Sequence, residues 1–247
     1  MKKVPTGVEG LDNMLGGGLP FGRCTLICGG PGSGKTTFAV QFLYNGAKKY
    51  GETGLYVSLG ESPVHLRENM ASFGLDIEGL EKEGKFMIID ASPIRTLPGE
   101  VKIGDLNIGK RDFSMLSLIE SIRNRAEEKQ VKRIVVDPIT TLMLQYPDVV
   151  ERQNAVLDLM ETITDLDITS LMTTELRATS LKRQVQAEEF LSHGVLIFHR
   201  FTEDGRIIRA IQVEKMRGIA HDYELRPYKI QKNGIEIFPK EKIISRT

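Results

Sequence analysis

Eight consecutive residues constrain this chain more than any others: Gly29-Gly30-Pro31-Gly32-Ser33-Gly34-Lys35-Thr36, set between the apolar run Cys24 to Cys28 and a helical pattern from Lys35 to about Tyr50. The octet satisfies G-x-x-x-x-G-K-[ST]. A buried strand that ends in such a loop, and a helix that begins in it, aim backbone N–H groups and a helix dipole at one point, which suits an anion. Gly29, Gly30, Gly32 and Gly34 let the backbone turn and come close to phosphate oxygens without side-chain obstruction. Lys35 supplies a compact charge for the β- and γ-phosphates, and the Thr36 hydroxyl is a ligand for magnesium. Pro31, Ser33 and Thr37 complete the segment expected to surround the nucleotide. A Gly-rich surface turn would match the pattern by chance in roughly one such chain in a hundred. The expected cofactors are therefore ATP and Mg2+.

The rest of the chain repeats the strand and helix alternation. Gly54 to Leu59 reads as a strand, Pro63 to about Phe73 as a helix opening on proline and stopped by Gly74, and Lys85 to Ile89 as a short strand. Phe113 to about Lys129 and Glu151 to Asp165 read as helices, Arg133 to Val136 as a fully buried strand, and Ser170 to Thr174 as another strand. Between them, Arg95 to Asp112 is rich in glycine, lysine and aspartate with little periodicity and is expected to be a mobile loop. The end changes character, with two hairpins turning at Asp204-Gly205 and Asn233-Gly234. This order predicts an α/β fold: a mainly parallel central sheet flanked by helices, extended by C-terminal antiparallel hairpins. At 247 residues the expectation is one domain, 1–247.

Charge excludes little by itself, since 33 basic residues balance 33 acidic ones. No run of about 18 apolar residues is present and the N-terminus lacks the apolar core of a signal peptide, so no membrane is expected and the expected location is cytoplasmic. Cys24 and Cys28 lie four apart in an apolar run and read as core residues. No cysteine and histidine cluster has the spacing of a zinc site.

Hydrolysis of a triphosphate also needs a carboxylate near the metal and a group that orients or deprotonates water. Asp137 ends the apolar strand Arg133-Ile134-Val135-Val136 and is the metal candidate beside Thr36. Any strand ending in a turn would look alike without the phosphate loop. Glu61 follows the strand Leu55 to Leu59 at the edge where the loop should lie, and is the candidate base. Its bland alternative is a carboxylate favourable to the helix dipole just before Ser62-Pro63.

Six segments in order carry a resemblance: TGVEGLDNMLGGGLPFG at Thr6 to Gly22, GGPGSGKTTFAVQFLYNGA at Gly29 to Ala47, YVSLGESP at Tyr56 to Pro63, IVVDP at Ile134 to Pro138, TTE at Thr173 to Glu175, and EKMRGIAHD at Glu214 to Asp222. Together they resemble the KaiC-like group of RecA-superfamily ATPases, the chain matching a single half of a tandem clock protein. The resemblance implies a RecA-like P-loop fold and hexameric rings with ATP between subunits. Lys215 and Arg217 would then reach a neighbour's γ-phosphate, with His221 in the same segment. A guanidinium donated across an interface stabilises charge on the transferring phosphoryl group. Thr174 and Glu175 would form a phosphate sensor passing state to the segment Arg177 to Arg183. In that family two adjacent glutamates follow the second strand, the first being the base. Here the pair reads Gly60-Glu61, which leaves Glu61 as base, slows hydrolysis, or makes the protein chiefly a nucleotide-dependent switch acting on an unknown protein partner. Two further readings follow from the same resemblance. One is a single-stranded DNA-binding accessory using Arg177, Lys182 and Arg183, though no aromatic interleaves with them. The other is an autokinase, for which Ser192 alone stands where a serine and threonine pair is expected.

Overall fold

The computed structural model describes residues 1–91, 115–176, 185–203 and 205–243, with the backbone of 102–103 and 106–107. The first half of the chain forms β1 (Lys3–Val4), α1 (Leu11–Met14), β2 (Leu19–Pro20), β3 (Cys24–Gly29), α2 (Lys35–Tyr50), β4 (Gly54–Ser58), α3 (Pro63–Ser72), α4 (Ile77–Lys82) and β5 (Phe86–Asp90). Next come β6 (Lys102–Ile103), β7 (Leu106–Asn107), α5 (Met115–Glu128), β8 (Arg133–Asp137), α6 (Ile139–Met143), α7 (Val149–Asp165) and β9 (Thr169–Glu175). The end is built from α8 (Ala187–Leu191), β10 (Gly194–Glu203), β11 (Arg206–Met216), β12 (Arg226–Gln231) and β13 (Gly234–Ile237).

Nine strands make one sheet in the order β13-β12-β11-β10-β3-β9-β8-β4-β5. The six from β10 to β5 run parallel, and β11, β12 and β13 add antiparallel. All six residues of β3 are buried, as a strand covered on both faces requires. Alternate side chains feed two cores. Ile27 joins Phe38, Phe42 and Leu43 of α2 on one face, whereas Leu26 and Cys28 join Leu118 and Ile122 of α5 and Val156 and Leu159 of α7 on the other. Both cysteines are buried and neither is in a disulfide, and burial pushes the Cys24 thiol up to about 12, so Cys24 is not a nucleophile at neutral pH.

The opening motif Thr6 to Asp12 ties the N-terminus to α2. Asp12 accepts from the Thr6 amide and hydroxyl at 2.8 and 2.7 Å and from the Gly7 amide at 3.1 Å. Asn45 and Lys49 of α2 then donate to the Gly7 carbonyl at 2.8 and 2.9 Å. Beneath α2 lies a fully buried guanidinium: Arg133, first residue of β8, pairs with Glu52 at 2.6 Å, donates to the Phe42 carbonyl at 3.0 Å and sits over the Phe42 ring. Gly46 makes room for it.

The stretch expected to be a mobile loop lies mostly outside the described residues. Its described part is the antiparallel pair β6 and β7, with Ile103 opposite Leu106. Arg177, Lys182 and Arg183 also lie outside the described residues, as does Asp204 of the first turn. No helix among the described residues is long and apolar enough to cross a membrane.

Candidate nucleotide site

Parallel strands present their C-terminal ends along one edge, and the strand register says what collects there. Gly29 stands opposite Glu175, and Ser58 opposite Asp137. The loop from Gly30 to Gly34 rises from this edge and returns as α2, with Gly32 at φ +70° and Gly34 at φ +92°, a backbone that a side chain would strain. A Cβ on Gly29 would stand 2.6 Å from the Ser33 hydroxyl, and one on Gly34 would stand 3.0 Å from Ile230. Tyr228 of β12 donates to the Ser33 carbonyl at 2.6 Å, so the antiparallel extension braces the loop. Farther along α2, the Gln41 amide exchanges two hydrogen bonds with the Ile235 backbone, at 2.7 and 3.1 Å.

Lys35 folds its amine back onto the Gly29 and Gly30 carbonyls at 2.8 and 3.1 Å. Burial lowers its pKa below the ordinary 10.5, against the opposing pull of Glu175 and then Asp137. A cation held this way gains from an anion beside it, and Gly32 and Pro31 leave the top of the loop exposed. The loop thus fits a triphosphate.

Asp137 is buried and held from both sides. Tyr56 of β4 donates to one carboxylate oxygen at 2.6 Å, and Thr173 of β9 donates to the other through a short bond. Burial, then the Asp137 charge, raises the Tyr56 phenol well above 10, so it stays a donor. The Thr36 hydroxyl and Asp137 carboxylate are hard oxygen donors suited to Mg2+. Among the described residues no group of three or more His, Cys, Asp or Glu offers another metal site.

Glu61 lies just past β4. The Ser58 hydroxyl donates to its carbonyl at 2.5 Å, and its carboxylate accepts from Asn69 of α3 at 2.5 Å. Ser62 caps that helix and Pro63 opens it. Thr174 and Thr173 point to opposite faces: Thr173 meets Asp137, whereas buried Thr174 donates to Glu188 of α8 at 3.5 Å. Glu175 is exposed, and its amide donates to Thr140 at 3.2 Å.

Lys215 and Arg217 stand elsewhere. Lys215 pairs with Val195, which pairs with Leu26, and the Arg217 amide donates to His193, whose own amide donates to Cys24. They therefore lie roughly 10 and 16 Å back along the strand direction from Gly29. The Lys215 amine donates to the Glu189, Phe190 and Ser192 carbonyls at 2.7, 3.2 and 2.6 Å, closing the C-terminus of α8, and Arg217 donates to Phe190 at 3.1 Å. Burial, then Arg217, lowers the Lys215 pKa. His221, in the turn beyond, donates to the Ile219 carbonyl at 3.2 Å. Ser192 is fully buried with its hydroxyl on Glu189, on this same far side of the sheet.

Sequence reasoning missed Tyr56 and Thr173. Their trace was a hydroxyl inside each of two apolar strands, but only the order β4-β8-β9 puts both beside Asp137. It also missed Arg200 of β10, whose guanidinium would lie 3.9 Å from a Cβ on Gly32.

With loop, acid and sheet order in place, the comparisons with known proteins are decisive. The family profile for the KaiC ATPase matches residues 4–242. The chain belongs to the KaiC ATPase family. It is 35% identical over 240 residues to the circadian clock oscillator protein KaiC of Parasynechococcus marenigrum, covering 97% of this chain and 45% of that protein. It thus spans about half the length of such clock proteins. A UPF0273 protein of Thermotoga maritima is 35% identical over 241 residues, covering 98% of each. The crystal structure of a KaiC-like protein from Pyrococcus horikoshii OT3 superposes with a TM-score of 0.82 at 32% identity, covering 96% of this chain and 99% of that one. The RecA-like fold of KaiC relatives is therefore the fold of this chain.

Proposed function

We propose that the protein binds ATP with Mg2+ at Gly29 to Thr36 and hydrolyses it slowly, as a nucleotide-dependent switch built from a ring of six copies. The observation that carries this is the meeting, at the C-terminal edge of the parallel strands, of a braced phosphate loop and a buried aspartate held by two hydroxyls. Lys35 would leave the loop carbonyls for the phosphates, helped by the N–H groups of Gly30 and of Gly32 to Thr36 and the dipole of α2. Thr36 and Asp137 would hold the metal, which when bound neutralises charge on the phosphate oxygens. Glu61 would orient the attacking water or accept its proton, and must leave Asn69 to do so. A base that starts out engaged, with Gly60 beside it, accords with slow turnover.

The position of Lys215 and Arg217, too far back along the sheet for their own loop, supports their use in a neighbour's site. The switch would then act on a protein partner recognised by the assembled ring. Arg177, Lys182 and Arg183 lie outside the described residues, and nothing described favours the DNA-binding reading. The burial of Ser192 on the far side of the sheet weighs against self-phosphorylation.

Calorimetry and phosphate release test the core of the reading. Lys35→Ala is expected to abolish ATP binding, and Glu61→Gln to keep binding while turnover falls about 100-fold or more. Full turnover in the glutamine variant would reject Glu61 as base, and undiminished binding in the alanine variant would reject the site.

A further inference from the structure

One charged pair is left without an explanation by the fold. Arg200 of β10 and Arg209 of β11 stand directly opposite each other in the antiparallel register, and like charges so placed repel. Among the described residues neither guanidinium has an acidic partner or a hydrogen bond, and the Arg209 Nε is buried without an acceptor. Two cations held this close, with no partner among the described residues, make a place that favours an anion beside them.

The place says which anion. Phe198 packs against Phe38 of α2 and, edge to face, against Tyr228, with ring centroids 5.2 and 5.1 Å apart, so the even-numbered side chains of this part of β10 face α2. Arg200 projects from that same face two residues later. Phe198 is level with Gly29, so Arg200 stands about 7 Å past the end of β3, over the phosphate loop. Its Nη1 is the nearest foreign atom to Gly32, at 3.9 Å from where a Cβ would be. Tyr228, which braces Ser33, feels the positive fields of Arg209 and Arg200 against the burial that raises its pKa.

Resting on the nucleotide reading above, we infer that Arg200 is a phosphate-binding residue in cis: its guanidinium reaches the β- or γ-phosphate oxygens of the nucleotide held by its own Gly29 to Thr36 loop. The opposed Arg209 keeps it extended toward the loop by repulsion. Arginine suits this because its planar fork can meet two phosphate oxygens at once. The site would then hold cations of two origins, Lys35 and Arg200 from one protomer and the Lys215 and Arg217 pair from the next.

The test measures thermal midpoints and the affinity of a non-hydrolysable ATP analogue with Mg2+, in full-length wild type, Arg200→Gln and Arg200→Ala. The variants are expected to bind the analogue about tenfold more weakly, while their nucleotide-free midpoints equal or exceed that of wild type because a repulsion has gone. Affinity within twofold of wild type would overturn the inference, and so would failure of both variants to fold without nucleotide, which would make Arg200 a structural part. Turnover after mixing decides between cis and trans. Arg200→Gln subunits exchanged with Lys35→Ala subunits should gain nothing, since each carries its defect in its own site; rescue would overturn the cis assignment. If the wild type itself shows no analogue-induced shift, or if Lys35→Ala retains it, the nucleotide reading fails first.

Discussion

His193 shows how much a single ring can report about its surroundings. Arg23 donates to its Nε2 at 3.1 Å, and a guanidinium can only donate, so Nε2 accepts and the proton resides on Nδ1. That Nδ1 is buried without a partner. Burial first, then Arg23, Arg217 and Lys215, depress the pKa below 6.5. Between 6.5 and the folded value the unfolded chain binds the proton and the folded chain does not, so stability rises with pH in that window and is lost as pH falls through it. Denaturation midpoints from pH 7.5 to 5.5 should therefore decline in wild type and decline less in His193→Gln. Equal slopes would remove His193 as the cause.

Helix α2 is the element on which loop and sheet depend together. Its N-terminus carries Thr36 and its middle is fastened to β13 through Gln41, while one glycine lets it ride over a buried cation. A Cβ on Gly46 would stand 2.5 Å from both Cδ and Nε of Arg133, which is fully buried and pinned by Glu52 and Phe42. Gly46→Ala is expected to lower stability by about 1–3 kcal/mol despite the better helix propensity of alanine. A lower denaturant midpoint with unchanged slope would establish this. Nothing in the local motif NGA at Asn45 to Ala47 hints at an arginine 87 residues after Gly46. Strands β3, β4, β8 and β9 were legible because each is an apolar run bounded by breakers, and Asp137 because it ends one of them. The five residues of α8 and the two-residue strands β1 and β2 are too short for periodicity to register. The contacts of Tyr56, Thr173 and Arg200 arise from neighbours in the sheet that are not neighbours in the chain, information that a local pattern does not hold.

The molecule as a whole has two edges that lie apart along the strand direction. Gly29, Asp137 and Ser58 mark one, and Lys215, Arg217 and His193 belong to the other. Under the proposed reading a neighbour's far edge completes each site, which is a head-to-tail arrangement rather than a two-fold one. Arg217→Ala subunits mixed with Lys35→Ala subunits should then recover part of the turnover that neither has alone, because some interfaces join an intact loop to an intact arginine. No recovery under conditions of proven subunit exchange would dismiss the trans role. Light scattering with and without ATP and Mg2+ provides the companion measurement, and a strict monomer in both would dismiss the ring.

Under the same proposed reading, the separation of those two edges makes the ends of an assembly count. An open row of n subunits has one loop with no donor and, at its other tip, one donor with no loop, so it contains n − 1 finished sites; closing the row adds the last one without adding a subunit. A pair of subunits would work at half capacity per chain and a closed ring at full capacity, so specific activity itself becomes a gauge of closure. Dilution, a capping partner or a damaged subunit would each be felt as a missing seam between chains before any single fold was disturbed.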